Sequence, residues 1–206
     1  MRITQRYSHL NGEEYLLVHH KKTYAEIRRV IASVDAEKHR TKRSKEKRKQ
    51  MRMLYSPEDL NSTFKEELSK LGWRGKTYSY YVTTDRDLLE RISLLSLEEQ
   101  REILTQHGTQ EPIRSYKQTD FVKDQLAIEV QFGKYSFVAY DLFVKHMLFY
   151  SGRIINLGIE ILPTKAMQEE MSSGIAYFEG EVFNVLRQGR SSPPVPLLIL
   201  GIEPDP

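Results

Sequence analysis

The segment TDFVKDQLAIEVQFGK, Thr119 to Lys134, constrains the chain more than any other. Leu126 to Phe132 reads as a strand, and side chains on a strand alternate faces. Ala127, Glu129 and Gln131 then share one face, and Ile128, Val130 and Phe132 share the other. The apolar face can enter a core. The polar face must look onto a cleft, a metal or solvent, because a buried carboxylate is costly unless its charge is compensated.

A two-residue turn at Asp124-Gln125 would join this strand to a shorter one over Asp120–Val122. Antiparallel pairing through that turn sets Lys123 opposite Leu126 and Asp120 opposite Glu129, with Cβ atoms roughly 4.5–5.5 Å apart. Asp-Gln is not a favoured hairpin turn, so the register is an expectation for the fold to meet. Two carboxylates that close repel unless a cation lies between them. An all-oxygen site of this kind suits Mg²⁺. The other reading is an acid pair simply solvated on an exposed strand face.

The rest of the chain supplies helices and further strands. Ile27, Val30, Ile31 and Val34 recur at helical spacing over Ala25–Val34. Ser56-Pro57-Glu58-Asp59 is a helix start, followed by the apolar stripe Leu60, Phe64, Leu68 and Leu71. Lys76–Thr84 reads as a strand, and two short helices follow between Asp85 and Gly108, the second opened by Ser96 with Glu99 as a capping box. Beyond the central hairpin, Tyr135–Tyr140 reads as a third strand. Asp141 is expected to cap a helix running to Tyr150. A strand over Ile155–Leu162, helices over Lys165–Met171 and Ile175–Gln188, and a last strand over Leu197–Ile202 complete the order. Ser172 and Ser173 are expected as N-caps of the helix from Ile175. The fold class is α/β: a mixed central sheet flanked by helices, in one domain over residues 1–206. Residues 1–119 carry N-terminal helical elaborations and 120–206 the core.

Composition narrows the chemistry. The chain has no Cys, which excludes disulfides and thiolate metal sites. No apolar run reaches the ~18 residues of a membrane span, and the N-terminus lacks signal-peptide character; a cytoplasmic protein is expected. The net charge of +3 is uneven. EKHRTKRSKEKRKQMR, residues 37–52, holds a local +7, leaving the remainder at −4. Such a block is either a solvated surface or an arm that contacts phosphates through counterion release. There is no glycine-rich phosphate loop, no His-Glu-x-x-His and no nucleophilic-serine elbow.

Asp120 followed by Glu129-Val130-Gln131 resembles the bipartite active site of the PD-(D/E)xK nucleases, with Thr119 in place of the proline and Gln131 in place of the lysine. Asp-x8-Glu-x-Gln is similar to the BglII branch of type II restriction endonucleases. YSHLNG (Tyr7–Gly12), EMSSGI (Glu170–Ile175) and RQGR (Arg187–Arg190) extend the likeness over nearly the whole chain. The resemblance implies a homodimer that cuts double-stranded DNA with Mg²⁺ at a GATC-centred palindrome, RGATCY being the leading site, and leaves 5′ overhangs. It implies that Asp120, Glu129 and the Val130 carbonyl hold the metal, that Gln131 orients the attacking water, and that Lys134, Ser172 and Ser173 approach the bases. Helices near Leu142–Tyr150 and Ile175–Leu186 are candidates for the dimer interface or for ordinary core packing. A non-cleaving DNA-binding protein on the same scaffold is the alternative.

Overall fold

The computed structural model describes residues 1–206. A six-stranded mixed sheet runs through the molecule in the order β1-β8-β7-β6-β5-β4. Its strands are β1 (Arg2–His9), β4 (Arg74–Val82), β5 (Ile113–Lys123), β6 (Leu126–Val130), β7 (Leu157–Pro163) and β8 (Leu197–Glu203). β6, β7 and β8 are parallel, and antiparallel strands flank them: β5 and then β4 on one side, β1 on the other. Every residue of β6 and β7 is buried, as expected for parallel strands covered on both faces. A second, two-stranded ribbon pairs β2 (Lys42–Arg43), within the basic block, with β3 (Met53–Leu54) just beyond it.

Helices cover both faces. On one, α1 (Gly12–His19), α2 (Lys21–Ser33) and α3 (Pro57–Lys70) close over the sheet. Ile27, Ile31, Leu60, Phe64, Ile128 and Phe132 belong to this main core, so the apolar side of the β6 alternation does enter it. α4 (Arg86–Ile92) and α5 (Leu97–Gln106) sit on the β4 side, and the Ser96–Glu99 capping box is formed as expected. The opposite face carries α6 (Tyr135–Tyr140), a π-helical turn over Asp141–Lys145, α7 (His146–Ser151) and α9 (Phe178–Arg187), packed through Val138, Leu142, Phe178 and Val185. The short α8 (Lys165–Glu169) follows β7. No helix is long and apolar enough to cross a membrane.

Four local expectations are corrected. Tyr135–Tyr140 is helix rather than strand. Its aromatic and β-branched residues favour strands locally, but Val138 and Leu142, four apart, both bury against α9 and β8, and that tertiary contact selects the helix. Asp141 therefore lies inside a continuous helical segment and caps nothing. The helix expected from Ile175 starts at Phe178. Ser172 and Ser173 consequently lie in the loop between α8 and α9 and are not N-caps. The N-terminal strand β1, which no strong alternation announces, forms an edge of the main sheet by pairing with β8.

Candidate active site

The hairpin register is the one the turn demands. Lys123 pairs with Leu126, Val122 with Ala127 and Phe121 with Ile128. Asp124 and Gln125 both take positive φ, 50° and 59°, as a type I′ turn requires of its two central residues. The next opposed pair is Asp120 and Glu129, and there the ladder opens. Asp120 is exposed on the wall of a cleft of about 590 Å³, with Val130 and Gln131 beside it and Asn61 and Lys65 of α3 on another wall.

Glu129 is completely buried just beneath this wall. Its Oε1 accepts from the Thr119 hydroxyl, from the Asp120 backbone N–H at 3.3 Å and from Lys145 Nζ at 2.9 Å. Its Oε2 is buried with no partner at all. All of the local donors thus converge on one carboxylate oxygen and leave the other bare. Burial pushes the Glu129 carboxyl up to about 8 against the pull of Lys145, and Asp141, Asp120 and Glu160 push in the same direction as burial.

The helix above completes the arrangement. The π-helical turn carries Asp141 and Lys145, and Lys145 Nζ lies 2.7 Å from Asp141 Oδ1. Such turns widen a helix locally and recur at functional sites. Gln131 Nε2 donates to Asp141 Oδ2 at 2.6 Å, which anchors the amide while Gln131 lines the cleft. Burial alone would lower the Lys145 ammonium, yet Glu129 and Asp141 hold it above its usual range. Sequence reasoning missed Asp141 and Lys145 as site residues. The signal was present as an acid and a lysine four apart, a helical pair, but Asp141 was expected only as the cap of that helix and Lys145 as one of its ordinary residues.

The donor set can be tested against a divalent cation. Asp120, Glu129 and Asp141 bring three carboxylates against the single ammonium of Lys145, so the group is short of positive charge. The bare Oε2, the exposed Asp120 carboxylate and the Val130 carbonyl beyond the last bridged pair are hard oxygen donors. No three His, Cys, Asp or Glu side chains come together as a metal site. An open set of one or two carboxylates, completed by water and a substrate phosphate, is how Mg²⁺ is ordinarily held. The residues fit that cation.

The other candidates gather at the end of β6. Lys134 forms an isolated antiparallel bridge with Ile175, while Tyr135 N–H donates to Gly174 O and Ala176 N–H to Gly133 O. This clamp sets exposed Lys134 beside the Ser172–Ser173 loop. The Ser173 N–H donates to Glu46 Oε1 at 2.7 Å, and Lys49 Nζ donates to Met171 O at 2.6 Å. The basic block is therefore docked against that same loop.

A mixed sheet whose hairpin opens on an Asp–Glu pair at the edge of a cleft defines the core of a restriction-endonuclease-type nuclease. Two solved structures share the fold. A crystal structure of restriction endonuclease BglII complexed with a DNA 16-mer matches with a TM-score of 0.67 at 19% identity, over 100% of this chain and 79% of that one. Free BglII matches with a TM-score of 0.57 at 17% identity, over 100% and 81%. No curated protein sequence matches the chain. The family model for restriction endonuclease BglII/BglIII matches residues 4–202. The chain belongs to the BglII/BglIII restriction endonuclease family, and is thus a DNA-cleaving type II enzyme.

Proposed function

We propose that this endonuclease is a Mg²⁺-dependent homodimer that cuts both strands of a GATC-centred palindrome, RGATCY first among the candidates, and leaves 5′ overhangs. The observation that carries the reading is the bare Oε2 of buried Glu129 next to Asp120 at the cleft. Asp120, Glu129 and the Val130 carbonyl hold the cation. Bound there, Mg²⁺ supplies a Lewis acid that polarises the scissile phosphate and acidifies water. Gln131 cannot supply charge. One N–H of its amide is held by Asp141, which fixes the side chain, and its Oε1 accepts a hydrogen bond from the attacking water and orients it. Thr119, standing where related nucleases carry proline, holds Glu129 through its hydroxyl.

Lys134, Ser172 and Ser173 approach the bases, with Lys134 as donor to guanine O6 or N7 in the outer pair. Their common clamp at Gly174–Ile175 supports treating them as one reading surface. The exposed cations of the basic ribbon contact phosphates, which positions the protein without specifying sequence. Dimerisation through α6 and α9 is supported by the exposed apolar side chains Phe137, Phe183 and Leu186 on those helices.

Digestion of DNA of known sequence with and without Mg²⁺, followed by sequencing of the ends, tests the reading. Ends with 5′ overhangs at GATC-centred sites are expected only with the metal. Binding without cutting, or ends at unrelated sites, would overturn it. Lys134→Ala is expected to relax choice of the outer base pair, by the ~1–3 kcal/mol a good base contact contributes. Relative cleavage of RGATCY and its outer-pair variants checks this.

A further inference from the structure

Gln131 leaves the strand position of the motif lysine uncharged. A lysine nevertheless reaches the carboxylates from another element. Lys145 projects from the π-helical turn with only 12% of its side chain exposed, and lies 2.9 Å from Glu129 Oε1 and 2.7 Å from Asp141 Oδ1. Asp141 in turn holds the Gln131 amide at 2.6 Å. One ammonium therefore reaches both halves of the strand motif, Glu129 directly and Gln131 through Asp141.

We propose that the cation of this active site has moved from strand to helix: Lys145 is a positioning residue that takes over the charge given up at Gln131. By engaging Oε1 it turns Glu129 so that Oε2 is the free oxygen. Through Asp141 it also fixes the Gln131 amide. Three facts carry this: convergence of the donors on Oε1, the bare Oε2, and the near-complete burial of Lys145, which a surface ion pair does not share. A buried charge left without its partner is strongly destabilised. The positioning role in cleavage rests on the reading given under Proposed function. The charge coupling does not depend on that reading.

Two measurements test the inference separately. The first is urea unfolding of the metal-free protein in a double-mutant cycle of Lys145→Met and Glu129→Gln. Lys145→Met is expected to lower the midpoint markedly, and at least half of that loss should disappear in the Glu129→Gln background. Equal losses in the two backgrounds would overturn the coupling. The second is single-turnover cleavage of a GATC-centred duplex, with DNA affinity measured in EDTA. Lys145→Met should slow cleavage about 100-fold while affinity changes less than about threefold, at the upper end of the roughly 10–100-fold effect of groups that orient a metal ligand. Lys145→Arg should recover part of the rate. Gln131→Lys should lower cleavage in the parent but raise it at least tenfold in Lys145→Met, because only there is the charge missing. A merely structural lysine would show no such reversal of sign. Should Lys145→Met fail to fold, Lys145→Gln serves the same comparison. Cleavage by the folded variant within threefold of the parent, or no rescue by Gln131→Lys, would overturn the proposal. A parent that leaves GATC sites uncut refutes the proposed function and the cleavage role, and leaves the unfolding cycle to judge the coupling.

Discussion

Glu129 and Glu160 occupy adjacent strands in register, and both side chains are fully buried. Each has one oxygen engaged and an Oε2 with no partner. Their sequence settings, Ile128-Glu129-Val130 and Ile159-Glu160-Ile161, are nearly the same. What separates them is the neighbour on the next strand. β5 places Asp120 beside Glu129 where the hairpin ladder opens into the cleft, whereas β8 places the apolar Ile199 beside Glu160. Their partners differ accordingly. Glu129 meets Lys145, which stays charged, while Glu160 meets His146 Nε2 at 2.9 Å, and burial lowers that imidazole toward its neutral form. Gly158 makes room for the second pair, since a Cβ there would come within 2.6 Å of the His146 ring. One buried glutamate lies directly beneath the wall of a cleft, and its twin is enclosed between strands in the core.

The largest expected difference between them lies in cleavage. Glu129→Gln should reduce single-turnover cleavage by more than the roughly 10–100-fold typical of groups outside the ligand shell. Glu160→Gln should stay within about tenfold of the parent. Comparable losses in the two variants would erase the distinction drawn here. The second difference is in stability. His146→Ala removes the hydrogen-bond partner of buried Glu160 above Gly158, and should cost roughly 2–3 kcal/mol in urea unfolding, the upper range for leaving a buried polar group unsatisfied. Cleavage by that variant well below its melting temperature should persist.

The smallest expected effect is a shared pH dependence. Burial raises both carboxyls above the usual 4.5, Glu129 to about 8 and Glu160 well upward. The folded state then holds protons that the unfolded chain has released. Stability conferred at low pH is therefore lost as pH rises toward the folded values. His146, lowered by burial, acts in the opposite sense, but only below its ordinary 6.5. Between pH 6.5 and 8 the carboxylates act without it, and the metal-free protein should lose roughly 2 kcal/mol through Glu129, at 1.36 kcal/mol per unit. Thermal melts across that window check the slope, and either Glu→Gln variant should flatten it.

Much of this site was legible in the chain itself. Strict alternation in LAIEVQF separated a core face from a polar face, and the count of residues across Asp124-Gln125 set Asp120 against Glu129. The turn was the weak point, because Asp-Gln is a poor type I′ sequence, yet both residues take positive φ. Register followed because a one-residue slip would turn Ile128 and Val130 out of the main core. Tyr135–Tyr140 was misread because local propensity and tertiary burial disagree there. Asp141 and Lys145 were expected on one helix, but that this helix lays them against Glu129 and Gln131 of β6 is a contact across the sheet that no local pattern announces. The likeness of Ser172–Ser173 to helix caps failed for a related reason: the loop is held by Lys134, Glu46 and Lys49 from distant parts of the chain.

The sequence by itself determined the hairpin, the Asp–Glu pair and the α/β class, all of which follow from side-chain period and short-range register. Only the tertiary structure decided which of two buried glutamates lies against a cleft wall, and which lysine stands beside it. Those choices depend on the neighbouring strand and on a helix packed across the sheet, contacts between residues far apart in the chain that no local pattern encodes.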